Sequence, residues 1–345
     1  MNSMINKVYT IYSDVKCNIL KKHKKDIYMN PPVLLDTGLK SDNAGDDIIM
    51  YFALKQLSSL FDIQSAPRIP THGRIVSCSK KYSNYGKIVC GTNILSTREE
   101  IHGRLALPKN VSLYEDSLIL LAVGLADLGE SKKIDLITGR LYQYILNTKY
   151  MHSVRDSNTK QHLHEIGIDN VLNTGCVTMW DLTQEHCVTI PKKKAQNVLT
   201  TITDYDQDIE NDRYMLKTLT AAYDNVYLWL QGKGDETYFR TLNVSGVSLI
   251  RGGFNGLREF VDNQSSIDYF GTRLHCGIYC LNKRIRSMIV SIDNRAADIA
   301  RDTNIPTVIR ENLRAEMHDL IENERDTNIK IPIEAIKSWK EQFKY

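Results

Sequence analysis

The chain has 345 residues, of which 42% are apolar and 25% charged, with a formal net charge of +3. That length asks for two cores of ordinary size. The composition is that of a globular protein, and the near-neutral balance provides no electrostatic footprint for nucleic acid. The 7 cysteines are scattered and form no CxxC pair, which reads as buried thiols in a reducing, cytoplasmic compartment. No apolar run reaches bilayer length: the most apolar stretch, 118–128, is interrupted by Gly124 and Asp127. The first residues lack the continuous apolar region and cleavage site of a signal peptide.

In chain order, Met4, Val8, Ile11, Val15 and Ile19 recur at helical spacing, and Lys21, Lys22, Lys24 and Lys25 follow. This predicts a packed helix with a solvated basic end. The alternative is an amphipathic segment over 1–28 in peripheral contact with an anionic membrane, at its inner face. From Val33 onward, short apolar runs end in Gly, Asp, Asn or Ser and alternate with helical stretches. The runs are 33–35, 75–77, 88–90, 118–123, 153–154, 198–202, 226–230, 247–250, 267–270, 288–292 and 307–309. Continuous rather than alternating apolar strands predict parallel sheets covered on both faces, hence an α/β fold of doubly wound domains. The segment Pro191-Lys192-Lys193-Lys194 reads as a polar connector and divides the chain into 1–188 and 189–345. Ile336, Trp339 and Phe343 after Pro332 predict a last helix, which would naturally cross back to the first half.

Four loops follow predicted strands and carry the polar chemistry. Asn43-Ala44-Gly45-Asp46-Asp47 opens a helix, where Asn or Asp can cap and free N–H groups can bind a hydroxyl-rich or anionic ligand. Ser153-Val154-Arg155-Asp156 places a guanidinium at a strand end, suited to a phosphate or carboxylate; the plainer reading is a surface Arg–Asp pair plus an N-cap. Gly271-Thr272-Arg273-Leu274-His275 sets a fixed cation beside a group able to move a proton near neutral pH. Gln231-Gly232-Lys233-Gly234-Asp235 lacks the Walker and GxGxxG patterns and reads as a tight strand-to-helix turn. His162 and His164, two apart, point to different sides of a helix, and no metal site is expected.

Together these residues resemble the polysaccharide pyruvyl transferase family. The family's ordered elements are matched by Asn43, Gly45, Asp46 and Asp47, by Ser153, Arg155 and Asp156, by Gly175-Cys176-Val177-Thr178 with Trp180, and by Gly271, Arg273, Leu274 and His275. Departures are Asp36-Thr37-Gly38 in place of an aromatic–Gly lead, Cys90-Gly91-Thr92-Asn93 in place of a glycine triplet, and Arg295 where the Asp-x-Lys stretch has Lys. The resemblance implies a GT-B-like pair of Rossmann-like domains facing a central cleft, with the acceptor side first and the phosphoenolpyruvate side second. It implies phosphoenolpyruvate as co-substrate, no cofactor, and a sugar or glycan acceptor, lipid-linked or free, that receives a pyruvate ketal. By this analogy Arg155, Arg273, Leu274 and Ser153 bind the donor, Asn43 and Gly45 the acceptor, and His275 with Asp46 or Asp47 does the acid–base work. A nucleotide-sugar glycosyltransferase of the same fold, or an inactive relative that binds an anionic sugar, are the competing readings.

Overall fold

The computed structural model describes residues 23–72, 75–99, 104–126, 133–292 and 294–344. The helix predicted over 4–19 lies outside them, as do Lys21 and Lys22; Lys25 is described and pairs with Glu115 at 3.4 Å. The chain divides into two compact units: unit 1 comprises the described residues to Ser41, then 49–177 and the chain from Pro332 on; unit 2 comprises 42–48 and 178–331.

Unit 1 contains β1 (Tyr28–Asp36), β2 (Arg68–Pro70), β3 (Ile75–Val76), β4 (Tyr85–Cys90), β5 (Asn93–Ser96), β6 (Leu107–Pro108), β7 (Leu118–Leu121), β8 (Gly124–Ala126), β9 (His152–Val154) and β10 (Val171–Asn173). The main sheet runs β2-β1-β4-β7, all parallel. The parallel bridge Val123–Val154 continues it to the parallel pair β9-β10. Unit 1 thus runs 2-1-3-4-5-6 in strand order, the flavodoxin-like 2-1-3-4-5 pattern of a doubly wound sheet extended by one strand. Both faces are covered, so β7 reads Leu-Ile-Leu-Leu and every residue of it is buried. Helices α1 (Ala44–Leu57), α2 (Leu136–Ile145) and α3 (Ser157–Glu165) follow strands, α2 capped by Asp135 and α3 by Asp156.

The C-terminal helix, Ile333–Glu341, packs in unit 1. Trp339 is fully buried, and Phe343 meets the rings of Trp339, Phe61 and Tyr150 at 5.0, 5.1 and 5.5 Å.

Unit 2 contains β11 (Asn197–Thr200), β12 (Asn225–Trp229), β13 (Val247–Ile250), β14 (Ile267–Gly271), β15 (Ser287–Ser291) and β16 (Thr307–Ile309). Its sheet runs β13-β12-β11-β14-β15-β16, all parallel. That is the 3-2-1-4-5-6 order of the Rossmann fold, with the topological switch between β11 and β14. Its helices are α4 (Gln184–Cys187), α5 (Ile209–Ala222), α6 (Asp235–Leu242), α7 (Gly253–Asp262), α8 (Leu274–Asn282), α9 (Asn294–Thr303) and α10 (Leu313–Glu322).

The division at 188 expected from sequence is displaced. Residues 178–188 belong to unit 2, where His186 Nε2 meets the Leu281 carbonyl at 2.8 Å. The lysine triplet is likewise no free connector: Lys192, Lys193 and Lys194 pair with Asp326, Glu324 and Glu322 inside unit 2.

Candidate functional site

In a parallel sheet, ligands gather at the carboxyl ends of the strands. In unit 1 that edge carries Arg155, directly after β9. The residue is only 4% exposed. Its Nε lies 3.4 Å from Asp156 Oδ2, and neither Nη atom hydrogen-bonds to a described residue. Asp156 is itself committed: its Oδ1 accepts from the Thr159 amide at 2.6 Å and caps α3. The N-cap half of the plain reading therefore stands, but the pair is buried rather than on the surface.

Two loops close around this guanidinium. After β4, Gly91 and Thr92 have φ of 64° and 60°; after β7, Ala122 has φ of 52°. A left-handed Thr or Ala costs about 1–2 kcal/mol, and such strain concentrates at functional sites. Gly124 is required by close approach: a Cβ there would sit 2.3 Å from Asn93 Oδ1 and 2.4 Å from Arg155 Nε. Asn93 Oδ1 is buried without a hydrogen-bond partner. An orphan acceptor and a guanidinium short of acceptors thus face one point, a pattern that natural interiors avoid unless a ligand or water completes it. Ser153 is fully buried, and its hydroxyl serves the scaffold: it accepts from the Ala122 amide at 2.8 Å and bonds Thr174 Oγ1 at 2.5 Å.

In unit 2, Arg273 follows β14 at the switch point. It is 3% exposed and enclosed by acids. Nη2 donates to Asp204 Oδ1 at 2.9 Å and Asp235 Oδ1 at 2.5 Å, and Nε donates to the Ile202 carbonyl at 2.9 Å. Its charge centre lies 5.0 Å from the Tyr205 ring centroid. Burial opposes the charge of Arg273, but Asp235, Tyr205 and Asp204 outweigh it and hold its pKa above the ordinary value. Burial pushes the Asp235 carboxyl up, with Arg273 opposing.

Asp235 also fills the turn before α6. Its Oδ2 accepts from the Gln231 and Gly232 amides at 2.9 and 2.7 Å, where an anion could otherwise bind. The 231–235 loop is therefore the tight turn expected, with its own carboxylate in the anion position. The first motif docks on this turn. Asn43 Oδ1 accepts from Gly45 N at 3.0 Å and from Gln231 Nε2 at 2.7 Å, and the Ala44 amide donates to the Gln231 carbonyl at 3.1 Å. Gly45 is glycine because a Cβ would fall 2.7 Å from Gln231 Nε2. Asp46 is buried and Asp47 exposed in the first turn of α1. Leu274 and His275, both half-buried, open α8.

The structure thus gathers the sequence candidates into two clusters. Ser153 and Arg155 belong to unit 1; Asn43, Gly45, Asp46, Asp47, Arg273, Leu274 and His275 belong to unit 2. Sequence reasoning passed over Asn93, Gly124, Asp204 and Asp235 as site residues. Gly124 breaking an apolar run was the usable signal for its own role. The Asp293-Asn294-Arg295 stretch lies outside the described side chains. Among the described residues, no group of three or more His, Cys, Asp or Glu is placed to hold a metal ion.

A Rossmann-ordered sheet with a doubly paired arginine at the switch point, and a flavodoxin-like sheet with a buried arginine at its carboxyl edge, define an α/β protein of two doubly wound units. The sequence from residue 43 to residue 294, well over half of the chain, matches the family described as polysaccharide pyruvyl transferase. The chain belongs to that family, and so to the transferases of polysaccharide biosynthesis. Comparison with curated proteins and with solved structures returned no match.

Proposed function

We propose that the chain transfers the pyruvyl group of phosphoenolpyruvate to a pair of sugar hydroxyls, forming a cyclic ketal on a surface or secreted glycan, with Arg155 binding the donor. The observation that carries the reading is Arg155 itself: a buried guanidinium whose one carboxylate partner lies at 3.4 Å, with no further hydrogen bond from its side chain to a described residue. Phosphoenolpyruvate presents a phosphate and a carboxylate, and either matches the fork of an arginine.

The chemistry balances without an oxidant. A proton is added to the vinyl CH2 carbon, which becomes methyl, and the adjacent carbon becomes cationic. One sugar hydroxyl attacks that carbon, its C–O bond to phosphate breaks, and the second hydroxyl closes the ketal. Of the two hydroxyl protons, one replaces the proton spent on the methyl group and the other leaves with phosphate. In this proposal His275 supplies the first proton and Asp46 accepts from the attacking hydroxyl, with Asp47 as the alternative base. Arg273, already bonded to two carboxylates, positions the 231–235 turn rather than meeting the donor as an open cation. A GT-B-like arrangement of the units, a lipid-linked acceptor, and work in the cytoplasm at the inner membrane face belong to the same proposal. Among the described residues, no helix is long and apolar enough to cross a membrane.

The test is calorimetric titration of phosphoenolpyruvate into wild type and Arg155→Gln, alone and with candidate sugars, followed by phosphate-release assays. Wild-type binding that weakens by roughly tenfold or more in Arg155→Gln is expected. Absence of binding to wild type under all conditions refutes the donor assignment.

A further inference from the structure

The opposite edge of the unit 2 sheet presents a second set of unmet cationic groups. A cavity of about 500 Å³ lies at the amino ends of β14, β15 and β16, away from Arg273. That is the size of an ordinary small-molecule site. Phe270, Met288 and Ile305 contribute an apolar wall, and Arg286 and Arg325 line the polar side.

Arg286 is 8% exposed. Its Nη2 donates to the carbonyls of Leu320 and Ile321 at 2.8 and 2.6 Å, but its buried Nη1 has no hydrogen-bond partner. The nearest carboxylate oxygen, Asp268 Oδ2, is 3.4 Å away and already accepts from the Tyr223 hydroxyl at 2.8 Å and the Ala195 amide at 3.2 Å. Arg325 is less well provided. Its backbone amide donates to Lys192 O at 3.1 Å, while its buried Nε has no partner. Burial depresses the pKa of Arg325 and the like charge of Arg286 adds to this, outweighing the opposite pull of Asp319 and Glu316. The cavity's two carboxylates are both engaged elsewhere, Asp268 by Tyr223 and the Ala195 amide and Asp326 by Lys192, so two guanidinium groups with unmet donors on one cavity are costly unless an anion joins them.

The strip that carries Arg325 is anchored. Lys194 pairs with Glu322 at 2.6 Å, Lys193 with Glu324 at 3.5 Å and Lys192 with Asp326 at 2.5 Å; beyond it, Asn304 Nδ2 donates to the Asn328 carbonyl at 2.7 Å. The lysine triplet thus holds the wall that presents this arginine.

We propose that this cavity binds a small phosphorylated metabolite, with its phosphate between Arg286 and Arg325 and its organic part against the apolar wall. The full chain would be titrated calorimetrically with glucose 1-phosphate, UMP and inorganic phosphate, in parallel with Arg325→Gln. Saturable binding of at least one organic phosphate is expected, weakened by roughly tenfold or more in the variant. The Arg325 guanidinium gives up no hydrogen bond on substitution, so the variant should keep the wild-type unfolding midpoint. Independently of any variant, saturating ligand should slow amide exchange over 322–328 in the wild-type protein. The proposal is overturned if none of the three probes binds saturably, if both proteins bind equally, or if binding leaves exchange over 322–328 unchanged.

Discussion

Replacing Arg273 by Met separates a scaffold arginine from a ligand-binding one. The guanidinium is nearly inaccessible and bonds two carboxylates, of which Asp235 is fully buried and Asp204 has a side-chain exposure of 23%. Removing one partner of a buried pair costs about 3–5 kcal/mol, because the other charge stays buried without compensation. The Ile202 carbonyl also loses its donor, a further cost of about 1 kcal/mol. Relief comes from protonation of Asp235, whose pKa burial already raises and which would lose its principal compensating charge. Arg273→Met is therefore expected to lose about 3–5 kcal/mol near neutral pH and less under mild acid. Adding Asp235→Asn should restore about 2 kcal/mol or more, which a double-mutant cycle would register as coupling. Urea unfolding followed through the buried Trp229 of the same sheet reads both quantities. A midpoint in Arg273→Met equivalent to less than about 1 kcal/mol of loss, or no recovery with Asp235→Asn, would refute the reasoning. An open, ligand-waiting cation would give that outcome, because its removal relieves unpaired positive charge.

Gly124→Ala places a methyl group 2.3 Å from Asn93 Oδ1 and 2.4 Å from Arg155 Nε, so the guanidinium must move. The expected cost is about 1–3 kcal/mol by overpacking, with phosphoenolpyruvate affinity falling further than stability; thermal unfolding and titration calorimetry check the pair. Glu99 is buried and bonded to Ser96 Oγ, the Tyr142 hydroxyl and the Leu105 amide, and burial raises its pKa to about 7 from 4.5. The folded state then holds a proton that the unfolded chain has released. Stability contributed by this group is full below about 4.5 and falls by about 3 kcal/mol as pH rises to about 7. Urea midpoints across that window should show the slope, and Glu99→Gln should flatten it. Trp339→Ala in the C-terminal helix removes a fully buried indole that meets Phe343, and is expected to cost about 3–5 kcal/mol in the urea midpoint of unit 1.

Most strands were legible because buried parallel strands need no alternation. Leu118–Leu121 and Ser287–Ser291, buried at every position, declare themselves as apolar runs. Arg68–Pro70 did not, since one residue of its three is buried and a proline ends it. Val171–Asn173 is too short to carry a period. Placing Arg155 and Arg273 just beyond strand ends was also legible, from the apolar run that precedes each. What surrounds them was not. Asp235 and Asp204 reach Arg273 across 38 and 69 residues, and Lys194 reaches Glu322 across 128. Such pairings follow from strand order, which no local pattern encodes. The Pro-Lys-Lys-Lys segment looked like a connector because its acidic partners were equally remote.

The two motif arginines therefore differ in a property that burial does not reveal. At 4% and 3% exposure they are equally inaccessible. Arg155 faces one carboxylate at 3.4 Å, and that carboxylate is shared with a helix cap. Arg273 faces two carboxylates at 2.9 and 2.5 Å. At short range and low dielectric, the nearer pairs dominate the local potential. The first cluster stays receptive to a phosphate or carboxylate, whereas two carboxylates around one guanidinium make the second net negative and repel a dianion. A net-negative site rich in acceptors favours hydroxyl donors instead, and the partly exposed Asp204 offers oxygens of the kind that sugar hydroxyls seek. Under the proposed reaction, this electrostatic difference favours a phosphate or carboxylate at Arg155 and sugar hydroxyls near Asp204.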